Sequence, residues 1–226
     1  MIVLVHAGVC DSRMWEGFDL PGAMTYEMRG FGETPMPSEG QFSHAADLEA
    51  AIGEGPASLV GASYGGLVCL ELAARRPDLI TELVLLDAAL PDHPWSEEVA
   101  GYGRREEELV DQGDLRGAAE LTADFWLTDP SLRERVVEMQ QRAYELQVGA
   151  GSEEIYPEAI PLAEVRARTL VVVGENDKAD FHDIADRLMA EVPGARGIRI
   201  KGSGHLPALE QPAETARIVR DFLAKS

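Results

Sequence analysis

Apolar residues in this chain follow two spacings. Unbroken runs at 2–5, 57–60, 83–87 and 170–173 predict buried strands, with weaker candidates at 23–26 and 197–200. Between them, segments 44–52, 67–75, 184–191 and 213–224 carry apolar residues at helical spacing. A strand with one wet face would alternate polar and apolar positions; continuous apolar strands between helices instead predict a parallel sheet covered on both sides. The expected architecture is therefore α/β, a doubly wound and mostly parallel sheet whose ligands sit at the carboxyl ends of the strands.

One stretch breaks the alternation. From about 91 to 162 no strand is evident, and segments 97–112, 115–127 and 131–148 each read as helix. Asp114 and the sequence Asp129-Pro130-Ser131 supply caps or helix starts there. The expectation is one domain over 1–226 with a helical insertion at about 91–162, lying on the site side as a lid.

Charge narrows the partners. Forty acidic residues against twenty basic ones give a formal charge of −20 over 226 residues, which disfavours nucleic acid and anionic membrane surfaces. Two cysteines, Cys10 and Cys69, make no disulfide framework; Cys10 is expected as a small buried filler, with a reactive thiol as the alternative. Met1-Ile2-Val3-Leu4-Val5 carries no basic leader, and no window approaches the ~20 apolar residues that cross a bilayer. A soluble cytoplasmic protein is expected, as a monomer or, through an exposed edge strand, a homodimer.

The chemistry centres on Ser63 in Gly61-Ala62-Ser63-Tyr64-Gly65-Gly66, between a buried strand and a helix. That context makes G-x-S-x-G a nucleophile elbow, a tight turn that lifts the hydroxyl above the sheet edge. A serine nucleophile needs a base and an orienting acid. His205, in the glycine-rich loop Gly202-Ser203-Gly204-His205, is the expected base. Among Asp87, Glu175, Asp177 and Asp180, all near strand ends, Asp177 is the expected acid and Asp87 the alternative. The oxyanion donors are expected to be the backbone N–H groups of Tyr64 and Gly8, with Val9 as neighbour to Gly8. His6 is read as a hydrogen-bonding support of that loop, His44 as structural, and His93 and His182 as solvated loop residues. No cluster has metal-ligand spacing and no glycine loop suits phosphate, so neither metal nor cofactor is expected.

Taken together these motifs resemble the α/β-hydrolase superfamily over nearly the whole chain. Val3-Leu4-Val5-His6-Ala7-Gly8 resembles its oxyanion strand and loop, with Ala7 where a glycine is usual. Trp15 stands nine residues after that histidine, and Met28-Arg29-Gly30-Phe31-Gly32-Glu33-Thr34 is similar to its R-G-x-G-x-S loop. Gly174-Glu175-Asn176-Asp177 resembles its acid loop, and Gly204-His205 followed by Glu210 and Pro212 resembles its ending. The chain starts at the oxyanion strand rather than at an antiparallel pair, which implies a sheet of about six strands.

The resemblance implies a serine hydrolase acting through an acyl-enzyme on a small-molecule carboxylic ester, thioester or lactone. Lyase, C–C hydrolase and perhydrolase relatives keep the same residues. A slow-turnover receptor and a cyclase or editing thioesterase are the further alternatives. Trp126, Phe125, Met139 and Phe181, with Trp95 and Tyr144, are the large apolar side chains expected to shape a modest apolar pocket beneath the lid. The run Arg104-Arg105-Glu106-Glu107-Glu108 is expected as a solvated helix face.

Overall fold

A computed structural model describes residues 1–224. Strands β1 (Ile2–Val5), β2 (Ala23–Tyr26), β4 (Ala57–Ala62), β5 (Ile80–Leu86), β7 (Arg168–Gly174) and β8 (Arg196–Ile200) form one sheet in the order β2-β1-β4-β5-β7-β8. Every neighbouring pair in it is parallel. The chain enters at β1, steps outward to β2, and returns on the other side of β1 to lay down the rest. The order thus reverses between β1 and β4, which is where such a sheet opens a crevice at its carboxyl edge.

Alternation within the buried strands explains why both faces are covered. Leu59, Leu83, Leu85 and Val171 point to one face, where they pack with Leu48, Leu67, Leu70, Ile184 and Leu188. Those come from α1 (His44–Ile52), α2 (Tyr64–Arg75) and α6 (Ala179–Glu191). Val60, Val84, Leu86, Leu170 and Val172 point to the other face, against Val219 and Phe222 of α8 (Pro212–Leu223). Burying each such side chain contributes roughly 1.5–3 kcal/mol before the entropy of ordering it is subtracted. At one margin of the sheet β8 leaves Arg196, Ile198 and Arg199 exposed.

Between β5 and β7 run α3 (Glu97–Asp111), α4 (Leu115–Trp126) and α5 (Arg133–Gln147). Their starts follow from side-chain caps: Ser96 accepts from the Val99 N–H and Asp114 from the Gly117 N–H. Asp129 caps a short 3-10 turn, Pro130–Leu132, so α5 begins two residues later than the pattern suggests. The expectation that 91–162 holds no strand is corrected. Ser152–Glu154 forms β6 and pairs in parallel with β3 (Gly40–Phe42), register Gly40 with Ser152. A three-residue polar strand has neither an apolar run nor enough length to show a period.

Candidate active site

Strand register assembles the site. Val5 lies opposite Gly61, so the loop His6-Ala7-Gly8 runs beside Ala62-Ser63-Tyr64. Ala62 pairs with Leu86, Leu86 with Val172, and Gly174 with Ile200. The residues following β4, β5, β7 and β8 therefore emerge along one edge.

Ser63 sits in the turn between β4 and α2 with φ +51°, a conformation that L side chains rarely adopt. The turn is fixed by the Ser63 N–H donating to the Leu86 carbonyl at 2.8 Å and by the Ser63 carbonyl accepting from Leu67 and Ala89. Its flanking glycines are a matter of space. A Cβ on Gly61 would fall on the Gly65 carbonyl and 2.8 Å from Cys69 Sγ, and one on Gly65 would fall on the His6 and Val5 carbonyls.

His205 Nε2 lies 2.9 Å from Ser63 Oγ, and His205 Nδ1 lies 2.8 Å from Asp177 Oδ2. Asp177 Oδ1 also accepts the Lys178 N–H at 2.7 Å. Burial works to raise the Asp177 carboxyl. The charge and hydrogen bond of His205, with the Lys178 N–H, outweigh it and hold that carboxyl below its usual range. The loops carrying the two residues touch closely: Asn176 N–H donates to the Ser203 carbonyl, and a Cβ on Gly174 would collide with the Gly204 carbonyl. Glu210, on α7 (Pro207–Glu210), accepts the Gly204 N–H at 2.6 Å and the Ser203 hydroxyl at 3.1 Å, which pins the histidine loop from below.

The other acid candidates go elsewhere. Glu175 accepts the Gly202 N–H. Asp180 takes the Ser96 N–H and hydroxyl, each at 2.7 Å, and ties α6 to the start of α3. His93, expected in solvent, is instead largely buried and 3.3 Å from Asp180. Asp87 lies at the site, with φ +44°, and its Oδ1 accepts the Gly174 N–H at 2.8 Å. The sequence could not reveal the pairing of Asp180 with Ser96 and His93, because those partners lie more than eighty residues away; Glu210, six residues from Gly204, stood out only as part of a motif.

Gly8 packs against Tyr64, a Cβ on it falling 3.1 Å from Tyr64 Cβ, so the loop passes beside the first residue of α2. Buried His6 holds this loop. Its Nδ1 is 2.9 Å from the Ala7 carbonyl, and its Nε2 receives the Met28 N–H at 3.1 Å. Glu27 stands 3.1 Å from the same nitrogen and accepts from Ser12. Cys10 and Cys69 are both fully buried, and burial pushes their thiols upward, away from reactivity.

Aromatic rings roof the histidine. Trp126 and Phe181 have ring centroids 4.4 and 4.2 Å from that of His205. Phe181 belongs to α6, so the roof is shared between the sheet domain and the helical segment. Phe125 stacks on Tyr102 at 4.4 Å, with Lys178 Nζ above its ring. Met139 is corrected as a pocket residue: it is fully buried among Met14, Ala118, Ala119 and Val136. Helical spacing shows that a face is apolar, not which neighbour it meets.

Two cavities meet at Gly8. One of about 720 Å³ is lined by Glu106, Val110, Gln140, Tyr144 and Gln147. The other, about 340 Å³, is lined by Arg29, Phe31, His44, Tyr64 and Glu154. Glu106 is not wholly the solvated residue expected, since it accepts from the Tyr144 hydroxyl. Tyr144 was expected among the pocket side chains; Gln140 and Gln147 were not, although their spacing of four and three from it places all three on one face of α5. Among the described residues, the side chains close enough to share a metal ion are Asp87, Asp177 and His205. His205 and Asp177 already bond each other there.

The model of a family described as the alpha/beta hydrolase family matches residues 2–218. Lipase LipV of Mycobacterium tuberculosis is 25% identical over 98% of this chain and 92% of its own length. A 2-hydroxymuconate semialdehyde hydrolase of Pseudomonas putida is 27% identical over 88% of this chain and 76% of its own. The crystal structure of carboxylesterase CesB (YbfK) from Bacillus subtilis superposes with a TM-score of 0.80, 22% identity, and coverage of 100% and 84%.

Proposed function

The chain belongs to the alpha/beta hydrolase family, and from that premise we propose that it is a serine hydrolase cleaving a carboxylic ester, thioester or lactone of a small, partly apolar molecule. The observation that carries this reading is the buried line of hydrogen bonds from Ser63 Oγ through His205 to Asp177. Relatives named as a lipase and a carboxylesterase support the choice of an acyl substrate.

In this mechanism Ser63 Oγ attacks the substrate carbonyl while His205 Nε2 takes its proton. Asp177 receives the Nδ1–H, fixes the tautomer and stabilises the imidazolium. The carbonyl oxygen becomes negative against the N–H groups of Tyr64 and Gly8, each donor lowering the barrier by ~3 kcal/mol. Collapse expels the leaving group, which takes the proton from His205 and leaves an acyl-Ser63 ester. A water molecule, deprotonated by His205, then attacks that ester, and Ser63 is regenerated as the acid departs. The segment 91–162 acts as the lid. Trp126 and Phe181 meet the apolar part of the substrate, with Phe125 behind them.

A second reading, C–C bond hydrolysis, is favoured by the semialdehyde hydrolase relative, which would share the same residues. A fluorophosphonate probe with peptide mapping tests the common core of both. Modification of Ser63 that disappears in His205→Ala is the expected result; an unreactive Ser63 in folded protein sinks the proposal. A screen of nitrophenyl and thio esters against a vinylogous 1,5-diketone then separates acyl from C–C cleavage.

A further inference from the structure

Asp87 has no task in that reaction, yet it is tightly constrained. It is 2% exposed and holds a positive φ, its N–H donates to the Val172 carbonyl at 2.8 Å, and Oδ1 accepts the Gly174 N–H. The other oxygen, Oδ2, is buried and meets no N–H or O–H donor among the described residues. Beside this carboxyl lies a second acid. One oxygen each of Asp87 and Asp177 and a ring nitrogen of His205 lie within 4.8 Å of one another.

Two buried carboxylates this close repel each other strongly when both are ionised. A single proton between them removes the repulsion and satisfies the orphaned oxygen. Their other partners decide where it resides. Asp177 accepts both the His205 Nδ1–H and the Lys178 N–H, and each bond favours its charged form. Asp87 accepts one N–H only.

We propose that Asp87 is a neutral carboxylic acid at physiological pH, donating a hydrogen bond from Oδ2 to Asp177, and is thereby the positioning residue for the carboxylate that orients His205. This rests on the reading of Ser63, His205 and Asp177 given above. Charged groups facing Asp87 come from three elements: Asp177 after β7, His205 after β8 and Glu210 on α7. Their electrostatics agree with the geometry. Burial first, then the charge and hydrogen bond of Asp177, push the Asp87 carboxyl well up; the Gly174 N–H opposes this and the Glu210 charge adds to it. The same hydrogen bond helps to hold Asp177 down.

Three measurements test this, two of them without substrate. Infrared spectra of wild type and Asp87→Asn at neutral pH should differ by the carbonyl band of a protonated carboxylic acid; loss of ionised-carboxylate bands instead overturns the proposal. Thermal melting gives a second reading. A carboxyl raised in the folded state lends stability that is complete below the ordinary carboxylate range and is lost as pH rises towards the raised value. Asparagine does not titrate and tolerates positive φ, so the Tm advantage of Asp87→Asn should widen between about pH 5 and 8. A difference independent of pH overturns the proposal.

The third measurement is the pH profile of kcat/KM. Replacing one neutral group by another leaves the acid limb of Asp87→Asn where it stands in wild type. Had Asp87 been ionised, removing its charge would move that limb to lower pH. Asp87→Gly suits the backbone but removes the donor, and should lose at least ten times more rate than Asp87→Asn; equal losses count against positioning. The infrared and melting results decide the state of Asp87 even if Ser63 proves unreactive. Conversely, a labelled Ser63 with no acid band defeats this proposal and leaves the hydrolase reading standing.

Discussion

The carboxyl edge of the sheet and the helices between β5 and β7 are built on different principles. At the edge, each residue of interest follows a strand whose register with its neighbour is set by backbone hydrogen bonds. Ser63, Asp87 and His205 are all under a tenth exposed. In the intervening segment, α3 has no buried residue at all, and α4 and α5 are bound along their outer sides by exposed pairs such as Arg116 with Glu134 and Arg133 with Asp124. Reaction geometry must hold to fractions of an ångström, so it belongs on strand ends. On the proposed reading the helices between β5 and β7 are a cover, which tolerates variation and motion as reaction geometry does not.

The sharpest way to break this contrast is at its rigid side. Ser63→Ala should lower kcat by about a million-fold, the scale seen when a nucleophile is lost from such a constellation, with the melting curve preserved. Retained turnover of esters would remove Ser63 from the reaction. Asp177→Asn should cost ~10⁴-fold, because the amide favours the wrong imidazole tautomer; a larger loss in Asp87→Asn would exchange the roles of the two acids.

Next comes a test of rigidity behind the nucleophile. His44 packs on Tyr64 with ring centroids 5.7 Å apart, and burial, partly opposed by Asp47, lowers its pKa to about 4. An unfolded histidine takes up a proton near its ordinary value, so the neutral side chain's stability is present above about 6.5 and is lost as pH falls towards 4. That loss amounts to roughly 3 kcal/mol over the interval. Unfolding free energies measured from pH 7 to 5 should therefore decline less steeply in His44→Gln, and parallel slopes would refute the assignment.

Glu210 joins the two regions, since it accepts from the Thr128 N–H and hydroxyl as well as from Gly204. Glu210→Ala should destabilise the fold by about 2 kcal/mol and slow labelling of Ser63, because hydrogen bonds to charged groups are worth roughly 1.5–3 kcal/mol. If labelling is untouched, the histidine loop holds its place unaided. Smallest of all, Arg116→Ala should leave the labelling rate unchanged, as expected of an exposed pair. A marked change would make the helical segment part of the rigid machinery.

The same contrast governs how much could be read from the sequence. Buried strands announce themselves as continuous apolar runs, so the four central strands were expected within a few residues, while the exposed edge strands β2 and β8 gave only weaker signals. Ser63, Asp177 and His205 stand in loops whose order and glycine spacing carry information, and the structure brings their side chains together. The misses share one cause, that a period along the chain does not specify a neighbour across it. Met139 has the spacing of a pocket residue but is fully buried, in one core cluster with Met14 and Val136. Phe181 reaches His205 from α6 rather than from the insertion. Glu106 turns inward because Tyr144 is there to receive it. β3 and β6 are held by pairing across more than a hundred residues and have almost no apolar signal of their own.

The exposed arginines of β8 have a consequence for the protein in crowded solution. A parallel sheet ends in a row of unpaired backbone donors and acceptors, ready to recruit another chain. Along this margin Arg196 and Arg199 are exposed on a strand of five residues, with Arg199 3.8 Å from Asp186. A second copy docking in register would bring guanidinium groups against guanidinium groups and strip their hydration. The sheet thus carries its own terminator, and colloidal behaviour, rather than catalysis, is what replacing those two arginines with β-branched residues would expose.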